Sequence, residues 1–246
     1  MALTATFAGK RVLVTGGALG IGRAIVDRLV QDNAIVTALD VNETALKELK
    51  QSLPKVNAIQ CDVSKWADTK SIVKSIGPVD HLVNNAGIGK RHPLLKITEG
   101  DFNQTFDINV KAVINITQTV VQAMIADKIQ GSIVNVSSVS SVRATKDLLL
   151  YSATKAALSN ITKTMALELG RAGIRVNAVC PAPVDTPLMV GLAPTPEALP
   201  LMYSRNCIRR LIKPDEVADL VLFLLSDKAA MITGENVFID AGYTTN

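Results

Sequence analysis

The chain carries very little of what builds a metal or disulfide centre. It has two histidines, His81 and His92, too few for a histidine-rich metal site. Its three cysteines, Cys61, Cys180 and Cys207, are far apart, odd in number and form no C-x-x-C pair, so neither a zinc knuckle nor a disulfide framework is expected. Aromatic residues make up only 4%. No apolar run approaches the ~20 residues that a membrane-spanning helix needs, and Val217 to Leu225 is already interrupted by charge. The first eleven residues hold no signal-peptide core, and the last three form no sorting address. The expected setting is therefore cytoplasmic and reducing, with no membrane partner.

Basic residues are not clustered either. The net charge is +4, but the basic pairs Lys10-Arg11, Lys90-Arg91 and Arg209-Arg210 are isolated, so no nucleic-acid partner is expected. What the chain does have is apolar bulk. Hydrophobic residues are 48% and charged residues 20% of 246, a balance that excludes disorder and suffices for one full core.

Short Val- and Ile-rich runs alternate with helical patterns. Strands are predicted at Arg11–Thr15, Ala34–Asp40, Val56–Val63, His81–Asn85, Ser132–Ser137, Arg175–Cys180 and Asn236–Ile239. The intervening helices include one long element from Thr98 to about Ala126, opened by a Thr98/Asp101 capping box, and another over Tyr151–Gly170. Pro214 opens a helix that runs through Leu225. Such alternation implies βαβ units: an α/β, doubly wound Rossmann-type parallel sheet of about seven strands, helices on both faces, one domain over 1–246. The stretch 181–206 fits no regular pattern. It holds Pro183, Pro187, Pro194, Pro196 and Pro200 beyond Pro181, and reads as a substrate loop or lid.

Thr15-Gly16-Gly17-Ala18-Leu19-Gly20-Ile21-Gly22 joins the first strand to the first helix. Glycines there let backbone approach a pyrophosphate, and the helix N-terminus offers free N–H groups. Asp40 ends the second strand twenty residues after Gly20. A carboxylate at that place accepts from ribose hydroxyls and repels a 2′-phosphate. Val41 follows it and Leu19 sits in the turn, so no cation is at hand. This predicts NAD(H), with NADP(H) as the alternative. A solvated aspartate in a turn is the plainer reading.

Tyr151 and Lys155 are four apart, on one helix face, and Ser138 closes the fifth strand. A lysine ammonium stabilises a phenolate, and a serine hydroxyl can orient a substrate oxygen. The set suits proton exchange with a carbonyl or alcohol beside a nicotinamide.

With these residues in place the chain resembles a short-chain dehydrogenase/reductase along nearly its whole length. The resemblance is carried by the glycine turn, Asp62-Val63, Asn84-Asn85-Ala86-Gly87, Asn109, Ser138, Tyr151-x-x-x-Lys155, and Pro181 through Thr186. It implies that Tyr151 is the acid/base, Ser138 holds the carbonyl oxygen, Lys155 binds the nicotinamide ribose and tunes Tyr151, and Asn109 supports a proton-relay water. Cofactor contacts are implied for Gly16, Leu19, Gly20, Ile21, Gly22, Asp40, Asp62, Val63, Asn85, Ala86, Gly87, Tyr151, Lys155, Pro181, Val184 and Thr186. Three plainer readings stay open: Asn109 bonding backbone, Asp62 capping the next helix, and Asn84-Asn85 as a strand-end turn.

Gly77-Pro78-Val79-Asp80, Ile133 through Ser138, Arg143-Ala144, Met165 through Gly170 and Phe223 through Asp227 are similar to the dicarbonyl/L-xylulose reductase, or tetrameric carbonyl reductase, branch. That branch uses NADPH, which Asp40 contradicts. Its sugar-reducing members place polar groups where this chain has Val139, Leu148, Leu149 and Leu150, so an apolar ketone or a secondary alcohol fits better than a polyol; the expected substrate is a ketone, an α-dicarbonyl or a ketose, or the matching secondary alcohol. Substrate contacts are expected from Ser138, Val139, Leu148 and Tyr151, and a homotetramer is implied. Ala182 stands where the family often has glycine. No metal is expected. The competing classes are an NADPH-linked L-xylulose reductase and a dinucleotide-binding redox sensor without turnover.

Overall fold

A computed structural model describes residues 7–193 and 195–245, without the side chains of Pro196 and Leu199. Met1 to Thr6, Pro194 and Asn246 lie outside it. Seven strands form the expected parallel sheet: β1 (Arg11–Thr15), β2 (Ile35–Asp40), β3 (Asn57–Gln60), β4 (His81–Asn84), β5 (Ser132–Val136), β6 (Arg175–Pro181) and β7 (Asn236–Ile239). Their order is β3-β2-β1-β4-β5-β6-β7. The chain winds outward from β1 to β3 and then returns to place β4 against the other side of β1. The carboxyl ends of β1 and β4 therefore part at a topological switch point, where α/β sheets bind ligands.

Alternation along each strand sorts side chains to the two faces. Val12 and Val14 of β1 pack on one side, with Ile25 and Leu29 of α1 (Gly20–Gln31), Leu49 of α2 (Glu43–Ser52) and, in a later helix over Pro214–Leu225, Val221 and Leu224. Leu13 points to the other side, with Val73 of α3 (Trp66–Ile76) and, from further along the chain, Val120 and Met124. Both helical layers predicted from the alternation are present.

Three local expectations are corrected. The third strand is Asn57–Gln60 rather than Val56–Val63, because β3 pairs only with β2, whose register ends at Asp40 opposite Gln60. The long helix after Thr98 is broken. It runs as α4 (Glu99–Phe106), a π-helical turn at Asp107–Lys111 and α5 (Ala112–Ala126). The Thr98/Asp101 capping box is present, with Asp101 N–H donating to Thr98 Oγ1 and Thr98 N–H to Asp101 Oδ2. Single π turns of this kind concentrate at functional sites, and this one contains Asn109.

The third correction is to the irregular stretch. After α6 (Leu149–Leu169), two short helices rise over the sheet edge: α7 (Pro187–Leu192) and α8 (Leu199–Met202). Pro187 starts α7 at a position where a missing N–H costs nothing, and Thr186 caps it by accepting from Met189 N–H at 3.3 Å. Pro194 lies outside the described residues. α9 (Pro214–Leu225) begins at its proline as expected. Ala182 keeps an ordinary backbone and donates its N–H to the Ile239 carbonyl at 3.1 Å, so glycine is not required there.

Candidate active site

Two cavities of about 360 and 370 Å³ open at the carboxyl edge of the sheet. They share Ile21, Asn85, Gly87, Thr186 and Leu188, so they form one cleft with two ends.

The glycine turn and Asp40 wall one end. Gly16 and Gly20 have positive φ, +61° and +56°. A β-carbon on Gly16 would stand 2.9 Å from Ala86 Cα, and one on Gly22 would collide with the Gly16 carbonyl. Gly22 is therefore demanded by packing inside the turn. Leu19 offers no side-chain cap to α1, and no acidic residue stands in the first turn. The first N–H groups of that helix are left for an anion.

Asp40 is anchored from both sides. Its Oδ2 accepts from Ala18 N–H and its Oδ1 from Asn42 N–H, both at 3.0 Å. It braces the glycine turn as well as facing the cavity. Carboxylate oxygens have lone pairs to spare for two ribose hydroxyls. Arg23, on the helix just beyond the glycine turn, pairs with Asp27 at 2.8 Å and donates to Ser52 Oγ at 2.9 Å. Asp62 and Val63 line the same end. Asp62 is exposed and its Oδ1 accepts from Ser64 N–H and Oγ. It shapes the turn that precedes α3, whose N-cap is Lys65.

Asn85 ties β4 to the glycine turn. Its side chain donates to the carbonyls of Thr15 and Gly16 at 3.1 and 2.9 Å, while Thr15 Oγ1 accepts from the N–H groups of Asn85 and Ala86. Below it lies a buried polar chain. Asn84 donates to Thr117 and to Asn135, and Asn135 donates to Thr162. Asn84 thus belongs to the sheet's interior rather than to a loose turn.

Ser138, Tyr151 and Lys155 line the 360 Å³ cavity together. Ser138 Oγ accepts from Ser140 N–H at 3.1 Å, which leaves its proton free to point at the Tyr151 phenol, its hydrogen-bond partner. Lys155 is buried, and its Nζ donates to the Val136 carbonyl at 2.7 Å and stands 5.6 Å from the Tyr151 ring centre. Burial pushes the ammonium pKa down to about 8. Burial raises the Tyr151 phenol above its usual value, and the Ser138 hydrogen bond opposes part of that rise.

Asn109 does not line the cleft. Its side chain accepts from Ile88 N–H and donates to the Ile88 carbonyl and to Thr154 Oγ1. That is the plainer of its two readings. It also explains the position of Gly87, whose added β-carbon would lie 3.3 Å from Asn109 Oδ1 and 3.6 Å from Lys155 Nζ.

Val139 and Leu148 line the same cavity as Tyr151, with Pro181, Val184 and Thr186. Leu149 is 47% exposed and Leu150 packs inside, and neither faces the cavity, because successive residues on α6 point in different directions. Sequence reasoning missed Arg91, Leu192, Arg205 and Tyr243, which arrive from three distant segments. Only the apolar and basic composition around the lid hinted at them. Among the described residues no cluster of metal-ligating side chains exists and no helix is long and apolar enough to cross a membrane.

A family model described as enoyl-(acyl carrier protein) reductase matches residues 16–244. L-xylulose reductase of Bos taurus is 40% identical over 236 residues, 96% of this chain and 97% of the relative. The chain belongs to the short-chain dehydrogenase/reductase family. Carbonyl reductase [NADPH] 2 of Sus scrofa is 38% identical over 237 residues, 96% and 97% of the two chains. The crystal structure of gox2181 superposes with a TM-score of 0.93 at 31% identity and covers 98% of each chain. As a member of this family the protein is an oxidoreductase that uses a nicotinamide cofactor. The uncapped start of α1, the glycine cradle and the 370 Å³ cavity beside Asp40 fit such a dinucleotide.

Proposed function

We propose that this dehydrogenase/reductase interconverts a ketone or dicarbonyl with its secondary alcohol, with Tyr151 as acid/base and NAD(H) as the preferred cofactor. The observation that carries the reading is the Ser138–Tyr151 hydrogen bond in the 360 Å³ cavity, with Lys155 Nζ 5.6 Å from the Tyr151 ring centre.

The cofactor, when bound, supplies or removes the hydride. Gly16, Leu19, Gly20 and Ile21 would hold its pyrophosphate side, Asp40 the adenosine ribose, Asp62 and Val63 the adenine surroundings, and Asn85 to Gly87 its back. Pro181, Val184 and Thr186 would line the nicotinamide side. Ser138 would hold the substrate oxygen by turning its hydroxyl proton from the Tyr151 phenol onto it. Tyr151, kept protonated at neutral pH by burial, donates its proton as the oxygen gains charge. Lys155 then stabilises the phenolate, since an ammonium close to a buried anion favours the charged form. Asn109 positions Ile88 and Gly87 against Lys155, so any proton relay runs beside it rather than through its side-chain amide.

Asp40 supports NAD(H), because a carboxylate fixed by two backbone N–H groups cannot turn aside for a 2′-phosphate. The porcine relative's name carries NADPH, which favours the second reading, an NADPH-linked L-xylulose or dicarbonyl reductase. The initial rates with NADH and NADPH against one small α-diketone decide between them. A clear NADH excess supports the first reading, and an NADPH excess overturns it. Residues 181–206 would serve as the lid over the substrate, and a homotetramer in the cytoplasm is the arrangement proposed by family resemblance.

A further inference from the structure

The substrate end of the cleft has a one-sided charge. Its described charged lining residues are Arg91, Lys155 and Arg205, all cationic. Lys155 is committed to the Val136 carbonyl beside Tyr151. Arg91 has no such chemical task, yet it is held in place. Its Nε donates to the Leu192 carbonyl at 2.7 Å and its Nη1 to the Lys146 carbonyl at 3.1 Å. Its remaining nitrogen, Nη2, has no acceptor among the described residues. A guanidinium immobilised by two carbonyls, with donors left over, is pre-organised for a planar or tetrahedral anion.

Its place relative to the chemistry is defined by one residue. The Leu192 side chain and the Tyr151 ring both stand 3.3 Å from where a β-carbon of Gly89 would be, while the Leu192 carbonyl holds Arg91. Leu192 thus stands beside both the Tyr151 ring and Arg91, and Val139, Leu148 and Met189 line the same cavity with it, alongside Ser140 and Thr145.

We propose that the substrate is a ketone with an anionic group, carboxylate or phosphate, a short apolar spacer away from its carbonyl, and that Arg91 reads the anion with Arg205 adding to the field. This rests on the carbonyl-reducing function proposed above and names its substrate class. A neutral polyol would leave the guanidinium unanswered and set its hydroxyls against leucine and methionine.

The test compares 4-oxopentanoate, its methyl ester and 3-oxobutyl phosphate as substrates of the wild type, Arg91→Gln and Arg91→Lys. Calorimetric titration of 4-oxopentanoate into the same proteins runs alongside. In the wild type at least one anionic ketone has a kcat/KM about tenfold or more above the ester, the size of one charge-assisted contact. Which of the two leads identifies carboxylate or phosphate. The ratio collapses toward one in Arg91→Gln, persists in Arg91→Lys, and shrinks as salt is raised. Because a ratio is read, a general loosening of the lid, which lowers all rates together, does not imitate the effect. Turnover of the ester as fast as the anions, or a ratio unchanged in Arg91→Gln, overturns the anion site and leaves the oxidoreductase reading standing. Turnover of no ketone, with 4-oxopentanoate still bound more weakly by Arg91→Gln, overturns the carbonyl-reducing reading and leaves the anion site standing.

Discussion

The side chain of Asn109 grips the backbone of Ile88 at both of its polar groups: Oδ1 accepts from the N–H at 2.8 Å and Nδ2 donates to the carbonyl at 2.9 Å. The pairing fastens the segment after β4 to the π turn. Asn109→Leu leaves both groups without partners, at a cost of about 1–3 kcal/mol for each buried one. Reduced stability in urea together with a lowered kcat is expected, since Gly87 abuts Lys155. A variant equal to the wild type in both would show that the clamp does not matter.

Tyr151→Phe keeps the ring and removes the proton. Turnover is expected to fall by about 10²-fold or more, the usual size of a general-acid contribution, while the cofactor still binds. Ser138→Ala should also lower turnover, by removing the hydroxyl that holds the oxygen. Full activity of Tyr151→Phe in a steady-state assay would transfer the acid role to another group.

Asp40 links the proposed cofactor choice to stability, because the carboxylate assigned above to the ribose also holds Ala18 and Asn42. Asp40→Arg should raise the NADPH-to-NADH ratio of kcat/KM by about tenfold or more, equivalent to about 1.4 kcal/mol. It should also lower the melting temperature, as the glycine turn loses its brace. An unchanged ratio would sink the assignment of Asp40 to the ribose.

His81 is buried at the start of β4, edge-on to Phe7 at 5.6 Å, and its Nδ1 has no partner among the described residues. Burial lowers its pKa to about 4. Between pH 6.5 and 4 the unfolded chain therefore binds a proton that the folded one refuses. Stability is fully present above about pH 6.5 and declines as pH falls toward 4, by up to about 3 kcal/mol. His81→Leu, with no proton to bind, should flatten this part of the profile. Denaturant midpoints at pH 5 and 7.5 for both proteins check it, and an equal loss in the variant would place the acid sensitivity elsewhere.

Much of the fold and half of the site were readable along the chain. Strand identities followed from Val and Ile runs, and the helical layers from their alternation. Local spacing sufficed for the glycine turn with Asp40, and for Ser138 with Tyr151 and Lys155, because the first set lies within one strand–helix–strand unit and the second on a strand end and the helix that follows it. The π turn at Asp107–Lys111 was not readable. Its apolar pattern continues that of an ordinary helix, and the bulge is held by Asn109 contacts with Ile88 and Thr154, respectively 21 and 45 residues away. The short helices α7 and α8 were hidden too, since proline-rich segments shorter than two turns leave no periodicity. Gly22 was legible as essential but not as a packing residue, because the Gly16 carbonyl meets it only after the turn closes. The cationic rim is the clearest case. Arg91 faces the cavity through the carbonyls of Lys146 and Leu192, 55 and 101 residues further on. Sequence by itself determined the chemistry of the cleft, whose residues sit close together on regular elements. The tertiary structure alone decided what surrounds that chemistry, because those contacts join segments that meet only when the sheet and lid are assembled.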